Sequence, residues 1–190
     1  MAFLKDETVQ LRALEPEDLP FLYRWENDTD LWTLGNTVAP YSRHTLTEYL
    51  ADARRDVYDT RQLRLVIETL PDHLSVGLID LFDLDIHNQR AAVGIFIIPA
   101  YRKKGIGAAA LRLLADYAFR FLHLHQLYAH VPADNAESLA LFRHCGYQSG
   151  GRLSQWAIHP SGLFADVFLL QLISSLGHQS DGCPSANDRS

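Results

Sequence analysis

Apolar positions along this chain recur at two spacings, and the switches between them mark out its elements. From Thr8 to Leu14, Val9, Leu11 and Ala13 alternate with Gln10 and Arg12, which predicts a half-buried first strand. Pro16-Glu17-Asp18 suits the first turn of a helix, and Leu19, Leu22, Tyr23 and Glu26 share one face of it. A polar, loop-like segment runs from Asn27 to Tyr41. Thr45 and Glu48 then have the spacing of a capping box, opening a second helix with the stripe Leu46, Tyr49, Leu50, Ala53 and Val57. Gln62 to Leu70 and Ser75 to Phe82 read as a hairpin across Pro71-Asp72-His73, with Asp85 and His87 in the loop beyond. Val93 to Ile98 is an apolar run that reads as a buried strand, stopped by Pro99. Leu111, Leu114, Ala115, Ala118 and Leu122 return to the helical period. Gln126 to Val131 alternates again as a strand. Asp134, three residues before Glu137, is placed to cap a further helix, and Gly146 suits its C-terminal exit. Tyr147 to Leu153 and Phe164 to Ile173 supply two last strands. After Gly177 the periodicity ends, so the expected organisation is one domain over residues 1–176 and a disordered tail over 177–190.

Composition narrows the class. At 47% hydrophobic and 21% charged, the chain has the balance of a globular domain. A net charge of −6 argues against nucleic acid as the main partner and favours a cationic one. MAFLKDETVQ has no apolar core of a signal peptide, and Ala91 to Ala100 is too short to span a bilayer, so a cytoplasmic protein without a membrane partner is expected. Two cysteines do not make a disulfide framework. Nine histidines invite a metal reading, above all His123, His125 and His130. His123 and His125 have no Cys or Glu at ligand spacing and sit where a helix gives way to a strand, so no metal site is expected.

Two stretches carry candidate chemistry. In the first, the Val93–Ile98 run leads into a basic turn, Tyr101-Arg102-Lys103-Lys104, then Gly105, Gly107 and a long helix. A helix N-terminus offers unpaired N–H groups and partial positive charge, and nearby cations favour a multiply charged anion. The bland alternative is a β–α connection with solvated charges. The P-loop pattern is absent. Gly105-x-Gly107-x-x-Ala110 fits a dinucleotide fingerprint, but no acid occurs about 20 residues on before Asp134, so that reading is weaker. In the second stretch, Asp80 lies inside an apolar strand, where desolvation raises a carboxyl toward the range of a general base. Asp83 follows it, and both are candidate catalytic residues. The alternative for Asp80 is a structural tie to a neighbouring backbone or to Arg90.

At these residues the chain resembles the GNAT superfamily of N-acetyltransferases. Arg102-x-x-Gly105-x-Gly107-Ala108 is similar to its R/Q-x-x-G-x-G/A signature, and Asn135 to Tyr147 resembles its N-x-x-S/A-x-x-L-Y/F-x-x-x-G-F/Y block. The likeness spans roughly Thr8 to Leu172. It implies an α/β (α+β) fold: a mixed, mostly antiparallel sheet of about six to seven strands, splayed between the fourth and fifth and flanked by about four helices. It implies acetyl-CoA as co-substrate, held by Ile95, Phe96, Ile97, Arg102, Lys103, Lys104, Gly105, Ile106, Gly107, Ala108, Asn135 and Phe142. The first two helices and their connection form one wall of the family's acceptor pocket, which makes Trp25, Glu26, Asp28 and Trp32 candidate amine-binding residues. Both tryptophans have a plain core alternative. Among subfamilies the chain looks most like bacterial spermidine and diamine acetyltransferases, through the opening Leu11 to Leu19, the acid-bearing third strand and Gln126-Leu127-Tyr128. Ribosomal-protein N-terminal acetyltransferases are the alternative. Two departures stand out: Phe142 replaces a tyrosine usually proposed as general acid, and Ala92 replaces a common glutamate. They favour, as a reading of another class, a non-catalytic acetyl-CoA or polyamine-binding module; Asp80 and Asp83 argue against it. Exposed edge strands leave homo-oligomerisation open.

Overall fold

The computed structural model of the chain describes residues 3–29, 32, 37–52, 56–159 and 162–175. Strands β1 (Val9–Ala13), β2 (Leu63–Thr69), β3 (Ser75–Asp85), β4 (Arg90–Ile97), β5 (Gln126–Pro132), β6 (Gln148–Ile158) and β7 (Phe164–Ile173) form one sheet. Its order is β1-β2-β3-β4-β5-β7-β6. Neighbours run antiparallel except β4 and β5, which are parallel. That parallel pairing covers only Arg90↔Gln126, Ala91↔Leu127 and Ala92↔Tyr128. Past Ala92 the two strands part, as the sequence reading expected.

Helices α1 (Leu19–Glu26) and α2 (Arg43–Asp52) lie on one face, and α3 (Val57–Thr60), α4 (Ile106–Arg120) and α5 (Ala136–His144) complete the order. The period-2 pattern of each strand decides what it gives to each face. Leu65, Ile67, Ile79, Leu81, Val93, Leu127 and Ala129 share a core with Ala110, Leu111, Leu114 and Ala118 of α4, and with Leu139 and Phe142 of α5. On the other face Val66 and Leu78 pack with Leu22 of α1 and with Leu46 and Leu50 of α2. Full burial of each such leucine is worth roughly 1.5–3 kcal/mol, enough to fix where α1 sits.

Several boundaries differ from expectation for local reasons. The capping box at Thr45 does not form: Ser42 Oγ accepts from the Thr45 N–H at 3.0 Å, and α2 starts at Arg43. Val57 is not on the α2 stripe; it opens α3, where Asp56 accepts from the Tyr58 N–H at 2.7 Å. Ala53, Gly35 and the tail beyond Gly177 lie outside the described residues. Asn135, not Asp134, caps α5, accepting from the Ser138 N–H at 3.0 Å. Asp134 instead pairs with His159 at 3.2 Å. Gly146 does close α5, at φ +89°. β3 continues through Asp85 because a bulge between Phe82 and Asp85 absorbs an irregular register, with Asp83 at φ +49°.

Candidate active site

Strand pairing brings together the first group of site residues. Arg64 of β2 stands opposite Asp80 of β3, and Asp80 opposite Gly94 of β4. These pairs point to the α1/α2 face. Arg64 Nε donates to Asp80 Oδ1 at 2.5 Å, and its Nη2 lies 3.5 Å from Oδ2. The same guanidinium donates through Nη1 to Glu26 Oε1 at 2.6 Å, from the last turn of α1. It also lies over the Tyr49 ring, 5.5 Å from the centroid. One cation thus sits between two carboxylates, leaving the cluster a formal −1.

Burial pushes the Asp80 carboxyl above its ordinary range, and Arg64 pulls against that rise. Burial would lower the Arg64 guanidinium, but Asp80, Tyr49 and Glu26 together outweigh it and hold Arg64 above its ordinary value. The tie expected for Asp80 is therefore to Arg64 and not to Arg90, which pairs with Asp85 at 3.1 Å. Arg64 was missed by the sequence reading. The hairpin itself points to it: a turn centred on Asp72 sets residue 64 opposite residue 80.

Around this cluster the predicted amine-binding residues divide. Trp25 meets Phe96 of β4 edge-on at 5.4 Å and Phe21 at 4.5 Å, half-buried against the α1/α2 core. Trp32 donates its indole N–H to the Glu26 carbonyl at 2.9 Å, so it braces the backbone that carries Glu26. Asp28 is exposed just past α1, its N–H bonded to the Trp25 carbonyl at 3.2 Å. Asp83 does not share the Arg64 cluster. It lines a separate cavity of about 370 Å³ with Arg61, Gln62, Phe82 and Asp85. Hydrogen bonds from Asn88 hold the Asp85 carboxyl below its usual range.

The second group lies at the parted end of β4 and at the start of α4. Beyond Ala92 the β5-facing edge of Val93 to Ile97 pairs with no described strand. Gly105 is the N-cap of α4 at φ +79°, a conformation that glycine adopts freely, and has no side chain to cap the helix. The N–H groups of Ile106, Gly107 and Ala108 thus open the helix without intrahelical partners. Gly107 serves another end: a Cβ there would meet Leu141 of α5 at 3.2 Å, so glycine permits the α4–α5 approach. Arg102 Nε donates to the Ile97 carbonyl at 2.9 Å, Lys103 pairs with Glu137 at 2.9 Å, and Lys104 lies over the Tyr101 ring at 4.7 Å. Of the Asn135–Tyr147 block, Asn135 spends its side chain as a cap. Phe142 is 3% exposed, its ring edge-on to Tyr147 at 4.9 Å. Phe142 thus belongs to the core that α4 and α5 share with the sheet.

The sheet parts at β4 and β5, the only parallel pair among the described residues, with an uncapped Gly-rich helix start at the opening. The chain matches the Acetyltransferase (GNAT) domain model over residues 8–148. The chain belongs to the GNAT acetyltransferase family. It is an acetyl-CoA-dependent N-acetyltransferase. It is 28% identical over 165 residues to spermidine N(1)-acetyltransferase of Vibrio cholerae, covering 87% of this chain and 92% of that protein. It is 30% identical over 146 residues to the Escherichia coli K12 protein of the same name, covering 77% and 76%. The crystal structure of the Vibrio cholerae spermidine N-acetyltransferase in complex with CoA and spermine superposes with a TM-score of 0.79 at 27% identity, over 90% of this chain and 98% of that one. In this GNAT domain the unpartnered first-turn amides of α4 and the free β4 edge fit a pyrophosphate and an extended amide-bearing arm. Among the described residues no group of three or more His, Cys, Asp or Glu could hold a metal ion, and no helix is long and apolar enough to cross a membrane.

Proposed function

We propose that this acetyltransferase moves the acetyl group of acetyl-CoA to a primary amine of a polyamine or diamine. The observation that carries the reading is the Glu26–Arg64–Asp80 cluster. It is net negative, half-sheltered and set beside the parting of β4 and β5, so a cationic amine entering over Gly94 meets a fixed field of opposite sign. A second ammonium would find Asp83 and Asp85 at the bulge cavity, three and five residues beyond Asp80 along β3. The two spermidine acetyltransferase relatives support the same substrate class.

The residues divide the work as follows. Amides of Ile106, Gly107 and Ala108 hold the CoA pyrophosphate, with Arg102 and Lys104 adding charge at its rim. The free edge of β4 from Ile95 to Ile97 holds the pantetheine arm and offers an N–H to the thioester carbonyl. When bound, acetyl-CoA supplies an activated acyl group with a thiolate as leaving group. Glu26 and Asp80 hold the ammonium in place, and Trp25 and Phe96 wall the pocket with apolar rings. The exposed apolar end of the β6–β7 hairpin (Trp156, Ile158, Leu163, Phe164) supports self-association through that face.

The test is release of free thiol from acetyl-CoA with and without a panel of amines, with mass spectrometry of the products. Thiol release that requires spermidine or a diamine, and yields the singly acetylated amine, supports the proposal. A protein that binds acetyl-CoA but acetylates no amine is the non-catalytic module instead.

A further inference from the structure

An acceptor arriving as an ammonium must lose a proton before its nitrogen can attack, and the Arg64 cluster is poorly suited to take it. Both Asp80 oxygens face one guanidinium, so protonating that carboxylate means opening a sheltered ion pair. Phe142 has no proton to exchange, and Tyr147 is buried on the opposite, α4 side of the sheet.

The transverse row that carries Asp80 does not end at Gly94. Ala92 pairs with Tyr128 across the last rung of the parallel ladder. Two residues further along each strand stand Gly94 and His130, facing each other over the opening. The alternation of β5 buries Leu127, Ala129 and Val131 against α4, which turns Tyr128 and His130 to the acceptor face. Asp80 and His130 therefore flank the parted strands on one face, about two strand spacings or roughly 10 Å apart before the opening is added. Between them lies Gly94, whose missing side chain leaves room: an added Cβ would come within 3.5 Å of Phe82 and 3.7 Å of Asp80. His130 is exposed, and its ring is held edge-on to Tyr128 at 5.6 Å.

We propose that His130 is the base that deprotonates the acceptor ammonium, with Asp80 and Glu26 anchoring charge from the other side. This rests on the amine-acetyltransferase reading above. The ammonium N–H transfers its proton to an imidazole nitrogen. The freed lone pair forms the N–C bond to the thioester carbonyl, and the C–S bond breaks as the tetrahedral intermediate collapses. The departing thiolate takes the second proton from the new amide nitrogen, and the imidazolium returns its own to solvent. An imidazole suits this step near neutral pH. The charged and titratable groups facing it are Tyr128 on its own strand, Asp80 of β3, and Arg64 and Glu26 behind Asp80. Asp83, Asp85 and Arg90 lie around Tyr128. From β7 the neighbour opposite is Leu169.

The test compares wild type with His130→Gln at saturating acetyl-CoA and spermidine across pH. The expected kcat loss is about 10²–10⁴-fold, the general range for acid–base help, with KM for acetyl-CoA unchanged. The acid limb of the wild-type kcat profile should vanish in the variant, and added imidazole should restore part of the rate. Thermal melting should not change, since the side chain is exposed. A variant with wild-type kcat, or a slower one that keeps the same acid limb and ignores imidazole, overturns the role of His130 alone. A wild-type protein inert toward every amine overturns the amine reading and this proposal with it.

Discussion

Arg64 grips Asp80 through Nε at 2.5 Å while its Nη1 reaches Glu26 at 2.6 Å, so one guanidinium joins the sheet to the end of α1. Removing it leaves two sheltered carboxylates facing each other. Arg64→Ala should cost about 3 kcal/mol, the low end for breaking a buried pair, because Arg64 keeps 22% side-chain exposure. Asp80→Asn should cost less, since Glu26 still pairs with Arg64. Urea unfolding of the two variants gives the order, and equal losses would break the claim that Arg64 is the hub.

At the Gly-turn, charge and packing separate into different positions. Lys104→Glu reverses an exposed charge at the proposed phosphate site and should weaken acetyl-CoA binding about tenfold or more without changing stability. Gly107→Trp should instead unfold the α4–α5 contact, because even a Cβ meets Leu141 at 3.2 Å. Calorimetry of acetyl-CoA binding, paired with a melt of each protein, distinguishes them.

Much of this was legible in the chain. The parted sheet, the Gly-turn and the order of elements followed from periodicity and from two family blocks at Arg102 and Asn135. The sites that escaped depend on partners far apart in sequence. Asp80 is visibly odd inside an apolar strand, yet its partner emerges only once β2 is folded back on β3. Cap identity was missed for a smaller reason: Ser42 and Asn135 each stand near a residue with equally good chemistry, and backbone geometry decides between them. Spacing puts Gly107 in the first turn of the helix, but does not show that Leu141 also packs on it. His130 was weighed only as a metal ligand, since its place across from Gly94 depends on the parallel register.

Phe142→Tyr should give no gain in kcat. The added hydroxyl would sit on a buried ring packed edge-on against Tyr147, whose own hydroxyl has no hydrogen-bond partner among the described residues. A loss of about 1–3 kcal/mol is expected, as for an unsatisfied buried polar group. Tyr147→Phe should be neutral or stabilising by the same argument. Differential scanning calorimetry reads both signs.

Stability should fall on acidification through the network around Glu68. Burial alone would raise its carboxyl, but hydrogen bonds from His73, Arg12 and Gln10 outweigh that and hold it below the ordinary 4.5. A depressed folded pKa means that stability is present above 4.5 and is lost as pH falls through the lower folded value. Asp80, raised by burial, acts in the opposite sense and softens the slope. Glu68→Gln should be less stable at pH 7 and show a flatter decline below pH about 4.5 in urea-unfolding curves. An unchanged slope would remove Glu68 from the acid response.

The acidic site is expected to select amines carrying more than one positive charge. The most direct measurement is the ratio of kcat/KM for a diamine to that for a monoamine of the same carbon length, at low and at high salt. The ratio should exceed about ten at low salt and shrink as salt screens the exposed Asp83 and the half-buried Asp85. A ratio near one at both salts would contradict the claim.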